Sequence, residues 1–104
     1  MKVQFNTDNT IDGDARLEAF FSDMISKKLN RYDSHITRVE VHLSDENGKK
    51  EGLNDIKCLL EARFEGRQPI AVSAQEDTIE KAVSASIDKM KAALDSFLGK
   101  IQSR

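Results

Sequence analysis

Between Thr78 and Ile101 the apolar residues Ile79, Val83, Ile87, Met90, Leu94, Phe97, Leu98 and Ile101 recur every three or four positions. That spacing predicts an amphipathic helix with one apolar stripe, an arc of roughly 100°. The preceding run, Pro69-Ile70-Ala71-Val72-Ser73-Ala74, reads as a strand with Ile70, Val72 and Ala74 on one face. Gln75-Glu76-Asp77 joins the two. A strand that feeds such a helix lays the apolar stripe on a sheet and leaves the opposite face for solvent or a partner.

The rest of the chain supplies the remaining elements. Residues 2 to 7 read as a short strand with Val3 and Phe5 inward, followed by a turn at Asp8-Asn9-Thr10. Asp12 is placed to N-cap a helix from about Gly13 to Arg31, because its carboxylate can accept from the free amides of the first turn. Leu17, Phe20, Phe21, Met24, Ile25 and Leu29 form that helix's apolar stripe. Two alternating segments follow. Val39, Val41 and Leu43 oppose Arg38, Glu40 and His42, and Ile56, Cys58, Leu60, Ala62 and Phe64 oppose Lys57, Leu59, Glu61 and Arg63. A period of two marks strands with one wet face. Ser44 to Asp55 reads as an exposed, mobile hairpin loop, and Glu65-Gly66-Arg67-Gln68 as a tight turn into the last strand. Pro69 lacks an N–H and belongs at the start or edge of that strand. The expected fold is α+β, a two-layer sandwich in the order β-α-β-β-β-α, with a four-stranded sheet and two helices packed on one face.

A chain of 104 residues with 38% hydrophobic and 33% charged content has the size of a single domain spanning residues 1–104. No apolar run is long enough to span a bilayer, so no membrane partner is expected. Cys58 is the only cysteine. No intrachain disulfide can form, which points to a reducing, cytoplasmic setting. The net charge is −2, and the segment 44–55, with four acids and two bases, accounts for all of it. The other residues balance and can still carry a basic patch.

Catalytic chemistry is thinly represented, and no enzyme is expected. His35 lies beside Asp33 and Ser34, and His42 on the wet side of a strand; clustering along the chain is not triad geometry. Two solvent-exposed histidines account for them. Cys58 falls on an apolar face, where a small buried hydrophobe is the expected role and no reactive thiol is. Glu40 and Glu61 are candidate cross-strand neighbours, with Arg38, Lys57 and Arg63 near enough to neutralise them. No metal-ligand spacing, no cofactor motif and no small-molecule substrate site emerges, and Gly48 and Gly52 stand among acids that would repel phosphate.

The bases say more. Lys27, Lys28 and Arg31 close the first helix with no acid among residues 24 to 32, where cations also complement the helix dipole. On the last helix Lys81, Lys89 and Lys100 share one flank, and Glu80, Asp88 and Asp95 the other. Side-by-side helices would join the two basic sets into one phosphate-binding surface. Phe5, Phe20, Phe21, Phe64 and Phe97 are assigned to the core, which leaves Tyr32 as the stacking candidate.

In order and spacing these pieces resemble the ribosome hibernation-promoting factor and ribosome-associated inhibitor family, also called the sigma-54 modulation or S30AE family. The likeness rests on Asn9 after the opening strand, Ile11-Asp12, and a helix ending Lys28-Leu29-Asn30-Arg31-Tyr32. It continues through Ile36-Thr37-Arg38-Val39-Glu40-Val41, Ile70-Ala71-Val72-Ser73-Ala74, and Asp77 followed by Ile87-Asp88-Lys89-Met90 and Leu94. The resemblance is to a short form and implies the same β-α-β-β-β-α fold. It also implies binding to the small ribosomal subunit (30S) and the 70S ribosome through rRNA, in the channel used by mRNA and tRNA, and translation blocked by steric exclusion. Carried over by position, the RNA contacts are Lys27, Lys28 and Arg31, with Lys81, Lys89, Lys91 and Lys100; Lys91 faces the acidic flank. The sequence departs from the family where residues 76 to 104 hold five acids and five bases, and where Ala92, Ala93, Asp95 and Ser96 replace the expected basic and amide residues. The alternative reading is a non-enzymatic protein–protein interaction module on the same fold.

Overall fold

The structure, a computed structural model, describes residues 1–7, 15–46 and 55–102, the side chains of residues 101 and 102 apart. Strands β1 (Lys2–Thr7), β2 (Arg38–Asp45), β3 (Ile56–Phe64) and β4 (Arg67–Glu76) form one sheet in that spatial order. Helix α1 (Ala15–Lys28) connects β1 to β2, which run parallel, and helix α2 (Ile79–Gln102) follows β4. The other strand pairs are antiparallel. The expected α+β order and two-layer arrangement are what the chain adopts, and the sheet is mixed. The turn at Asp8-Asn9-Thr10, the cap at Asp12, the start at Gly13, most of the 44–55 loop with Gly48 and Gly52, and the side chain of Ile101 lie outside the described residues.

The register puts apolar residues on one face. Val3, Val39, Ala62 and Ile70 share one row, and Phe5, Val41, Leu60 and Val72 the next. Val39, Val41, Leu60 and Ala62 are fully buried there beneath Ile25 and Leu29 of the α1 side and Val83, Ile87, Met90 and Leu94 of α2. The opposite face carries Gln4, Glu40 and Glu61 in one row and Lys2, Arg38 and Arg63 in another. Ser86 enters the core beside Cys58. Its hydroxyl donates to the Val83 carbonyl at 2.8 Å and lies 3.1 Å from Cys58 Sγ, so the buried polar group is satisfied.

Local chemistry sets the element ends. Thr78 caps α2: its Oγ1 accepts from the Lys81 N–H at 3.1 Å, and its carbonyl accepts from Ala82 N–H. The first helix ends at Lys28, short of the expected Arg31, because the chain tightens into a 3-10 turn over Asn30–Tyr32. There Tyr32 N–H donates to the Leu29 carbonyl and Asp33 N–H to that of Asn30. The β3–β4 turn is also tighter than the four residues expected. Glu65-Gly66 alone make it, with Phe64 opposite Arg67 and Gly66 at φ 71°, a backbone region in which glycine carries no Cβ penalty. Two residues on, Gln68 and Pro69 together oppose Arg63 in a bulge on an edge strand, which accommodates the proline's missing donor.

Phe20 corrects the expected core: it is 56% exposed. The buried line of α1 runs through Phe21 and Ile25, and Phe20 lies five residues from Ile25, about 140° around the helix. It packs edge-on against Phe21, with ring centroids 5.0 Å apart.

Candidate functional site

Both helices run back towards the end of the sheet where β1 and β2 begin. Along α2, Ser86 meets Cys58 of β3, and further on Phe97 stacks on Phe64 at the far end of the same strand. The two helix C-termini therefore share one pole with the start of β2, the end of β3 and the start of β4. Lys27, Lys28 and Arg31 reach this pole from α1 and its 3-10 turn, and Lys2, Arg38, Arg63 and Arg67 from the strand ends. Asp45, Glu46, Asp55, Glu76 and Asp77 collect at the other. The first pole is the richer in cations, although Asp33, Glu65 and Asp95 also lie there and Lys57 and Lys81 stand at the other; its cations stand beside the partial negative charge of two helix termini.

Between α1's C-terminus and α2 lies an open groove of about 470 Å³, lined by Lys27, Lys28, Asn30, Arg31, Tyr32, Lys91 and Asp95. Tyr32 forms its wall and is no stacking platform, since it is only 1% exposed. Its hydroxyl donates to Asp95 Oδ1 at 2.6 Å, and Arg31 pairs with the same carboxylate while lying over the Tyr32 ring, 4.6 Å from its centroid. The Tyr32 hydrogen bond, assisted by Arg31 and against partial burial, holds the Asp95 carboxyl below the usual range. Burial and Asp95 push the Tyr32 phenol up. Arg31 is held charged by its contacts with Tyr32 and Asp95.

This arrangement redistributes the seven expected RNA contacts. Lys27, Lys28, Arg31 and Lys91 come together in the groove. The flank of α2 that meets α1 is the acidic one, through Asp95, and Lys91 is the lysine it carries inward. Lys89 lies on the other flank, where its Nζ donates to the Ser73 carbonyl of β4 at 2.8 Å. Lys100 follows eleven residues later, about 20° around the helix from Lys89. Lys81 sits in the first turn, 3.1 Å from Asp77, at the acidic pole. Lys27 pairs with Asp23 at 3.0 Å, but both partners are exposed, and such i,i+4 pairs are weak and exchange readily. The expected single patch joining Lys27, Lys28 and Arg31 to Lys81, Lys89 and Lys100 does not form, because the sheet sets α2's lysine-rich flank over β4.

Glu40, Glu61 and Cys58, weighed for catalysis, sit in structural roles. Glu40 and Glu61 are cross-strand neighbours, as expected. Arg63 bridges them, with Nε 2.6 Å from Glu40 and an η-nitrogen 2.6 Å from Glu61, while Arg38 donates to Glu40 at 2.9 Å. Desolvation raises the Glu40 carboxyl, but Arg38 and Arg63 outweigh it and hold it low. Lys57, opposite Ser44, stands away from this cluster. Burial pushes the Cys58 thiol up to about 11, against a smaller effect from Ser86. No group of three or more His, Cys, Asp or Glu side chains suited to a metal ion occurs among the described residues. No helix among them is long and apolar enough to cross a membrane.

Sequence reasoning missed the Tyr32–Asp95–Arg31 cluster and the place of Asn30. Positions 32 and 95 are 63 residues apart, and no local spacing links them. Only the i,i+4 relation of Lys91 and Asp95 on one helix flank hinted that both face the same way.

Comparison with known proteins gives a consistent picture. The family described as sigma 54 modulation protein / S30EA ribosomal protein matches residues 3–102. The N-terminal domain of Protein Y from Thermus thermophilus superposes with a TM-score of 0.71 at 13% identity, covering 93% of this chain and 99% of that one. A ribosomal subunit interface protein from Coxiella burnetii superposes with a TM-score of 0.66 at 19% identity, covering 95% and 99%. At these identities the likeness is one of fold. No curated protein matches the chain in sequence.

Proposed function

The chain belongs to the sigma 54 modulation protein / S30EA ribosomal protein family, a ribosome-associated family, and from that premise we propose that it is a cytoplasmic hibernation factor acting without a chemical step. It binds rRNA of the small subunit within the channel of mRNA and tRNA, on 30S and 70S particles, and blocks translation by occupying that space. The observation that carries this reading is the groove in which Lys27, Lys28, Arg31 and Lys91 converge at the basic pole. Lysine and arginine neutralise phosphates with little reading of base identity, which suits a steric plug. Lys81, Lys89 and Lys100 would contribute through the general field or through contacts along the far flank.

Sucrose-gradient sedimentation tests the reading. Wild-type protein is expected in ribosomal fractions at low salt and to leave them as salt rises. A Lys27→Glu, Lys28→Glu, Lys91→Glu triple variant that folds is expected at the top of the gradient. Wild-type protein absent from ribosomal fractions at low salt rejects the proposal. The protein-interaction alternative draws on exposed Phe20. A defined protein partner retained after nuclease digestion, and lost on Phe20→Ser, would favour it.

A further inference from the structure

Three depressions run together along the pole that holds the helix C-termini. The lysine-lined groove shares Arg31, Tyr32 and Asp95 with a second of about 330 Å³, which continues past His35, Leu98 and Gly99. The second shares His35 with a third of about 210 Å³, lined by Ser34, His35, Phe64, Glu65, Arg67 and Phe97.

The third differs in chemistry from the groove that leads to it. Phe64 and Phe97 stack with centroids 4.9 Å apart and planes 30° from parallel. Phe64 belongs to the core, whereas Phe97 is only partly buried. The Arg67 guanidinium lies over the Phe97 ring, 5.8 Å from its centroid. Arg67 is an exposed side chain beside the hairpin turn and can swing aside. Aromatic rings and guanidinium planes are the surfaces on which unpaired bases stack. Ser34, His35 and Glu65 add polar atoms suited to the edge of a base.

Gly99 lines the connecting depression. A glycine within a helix is unfavourable relative to alanine, and here packing does not demand it, since a Cβ would meet nothing within 4 Å.

Resting on the RNA-binding reading above, we propose that this depression is a nucleobase pocket. Unpaired RNA places phosphates along Lys27, Lys28, Arg31 and Lys91 and inserts one base between Phe97 and Arg67. The protein then prefers single strands with bases over a bare phosphate backbone.

Fluorescence anisotropy with a short labelled single-stranded RNA and an abasic strand of equal length tests this. Wild-type protein is expected to bind the intact strand about tenfold more tightly, the scale of one aromatic stacking contact. Phe97→Leu is expected to abolish most of that preference while leaving the abasic strand's affinity unchanged. Because Phe97 touches the core, Arg67→Lys provides a fold-neutral check: it keeps the charge, loses the planar group, and is expected to reduce the preference alone. Equal binding of both strands by wild-type protein, or equal loss for both strands in the variants, overturns the pocket and leaves the groove standing. Failure of both strands to bind at low salt overturns both the pocket and the RNA reading.

Discussion

Tyr32 and Asp95 lie 63 residues apart in the chain, yet the phenol donates to the carboxylate at 2.6 Å. This bond ties the end of the first helical segment to the second helix across the groove. Tyr32→Phe keeps the buried ring and removes the donor, so the variant is expected to unfold at a lower denaturant concentration than wild type. The folded Asp95 carboxyl is held low and the Tyr32 phenol high. The carboxylate contribution is present above the ordinary carboxylate range and is lost as pH falls through the depressed folded value. The phenol contribution is present below about pH 10 and is lost as pH rises through the raised folded value. Midpoints measured against pH are therefore expected to fall off less steeply in acid for Asp95→Asn than for wild type. Parallel acid limbs would count against the linkage.

Asp95 also competes with any polyanion for Arg31, because the two already pair. Asp95→Asn keeps an acceptor for Tyr32 and removes the competing charge. The variant is expected to bind single-stranded RNA several-fold more tightly, with a salt slope steeper by about one. An unchanged slope would mean that Arg31 does not reach phosphate.

Lys91 and Lys89 are two residues apart on one helix, but one lines the groove and the other donates to Ser73 of β4. Lys91→Glu is expected to weaken ribosome co-sedimentation clearly more than Lys89→Glu at matched salt. Equal losses from the two variants would assign the effect to net charge and remove the groove's special role.

Cys58 is fully buried, and its thiol is pushed up to about 11. The thiolate is the reactive form, so the native protein is expected to react with a thiol reagent at pH 8 only through opening of the fold. The labelling rate should then follow denaturant in step with unfolding measured by circular dichroism. Fast labelling of the native state would contradict the packing around Ser86.

Much of the fold is legible in the residue pattern. The period of two around Val39-Val41-Leu43 and Cys58-Leu60-Ala62, and the stripe from Ile79 to Leu98, mark the faces that become buried. Those signals are local, since a strand or helix turns its side chains by a constant angle. Phe20 departs from its expected burial because a helical stripe read from spacing has no sharp edge, and the sheet beneath sets where burial stops. Tyr32 departs from its expected stacking role because its partner, Asp95, comes from a distant part of the chain.

Periodicity along the chain is enough to specify the elements, their order and which face of each is dry, because backbone geometry and apolar burial act over a few residues. Which flank of α2 meets α1 is settled only once the helices pack on the sheet. That packing sets Lys91 and Asp95 into the groove and Lys89 over β4, and it brings Lys27, Lys28, Arg31 and Lys91 to the pole that holds the cationic ends of four strands. The reason is geometric: strand order and helix direction fix which distant charges become neighbours, and Coulomb forces depend on that separation in space.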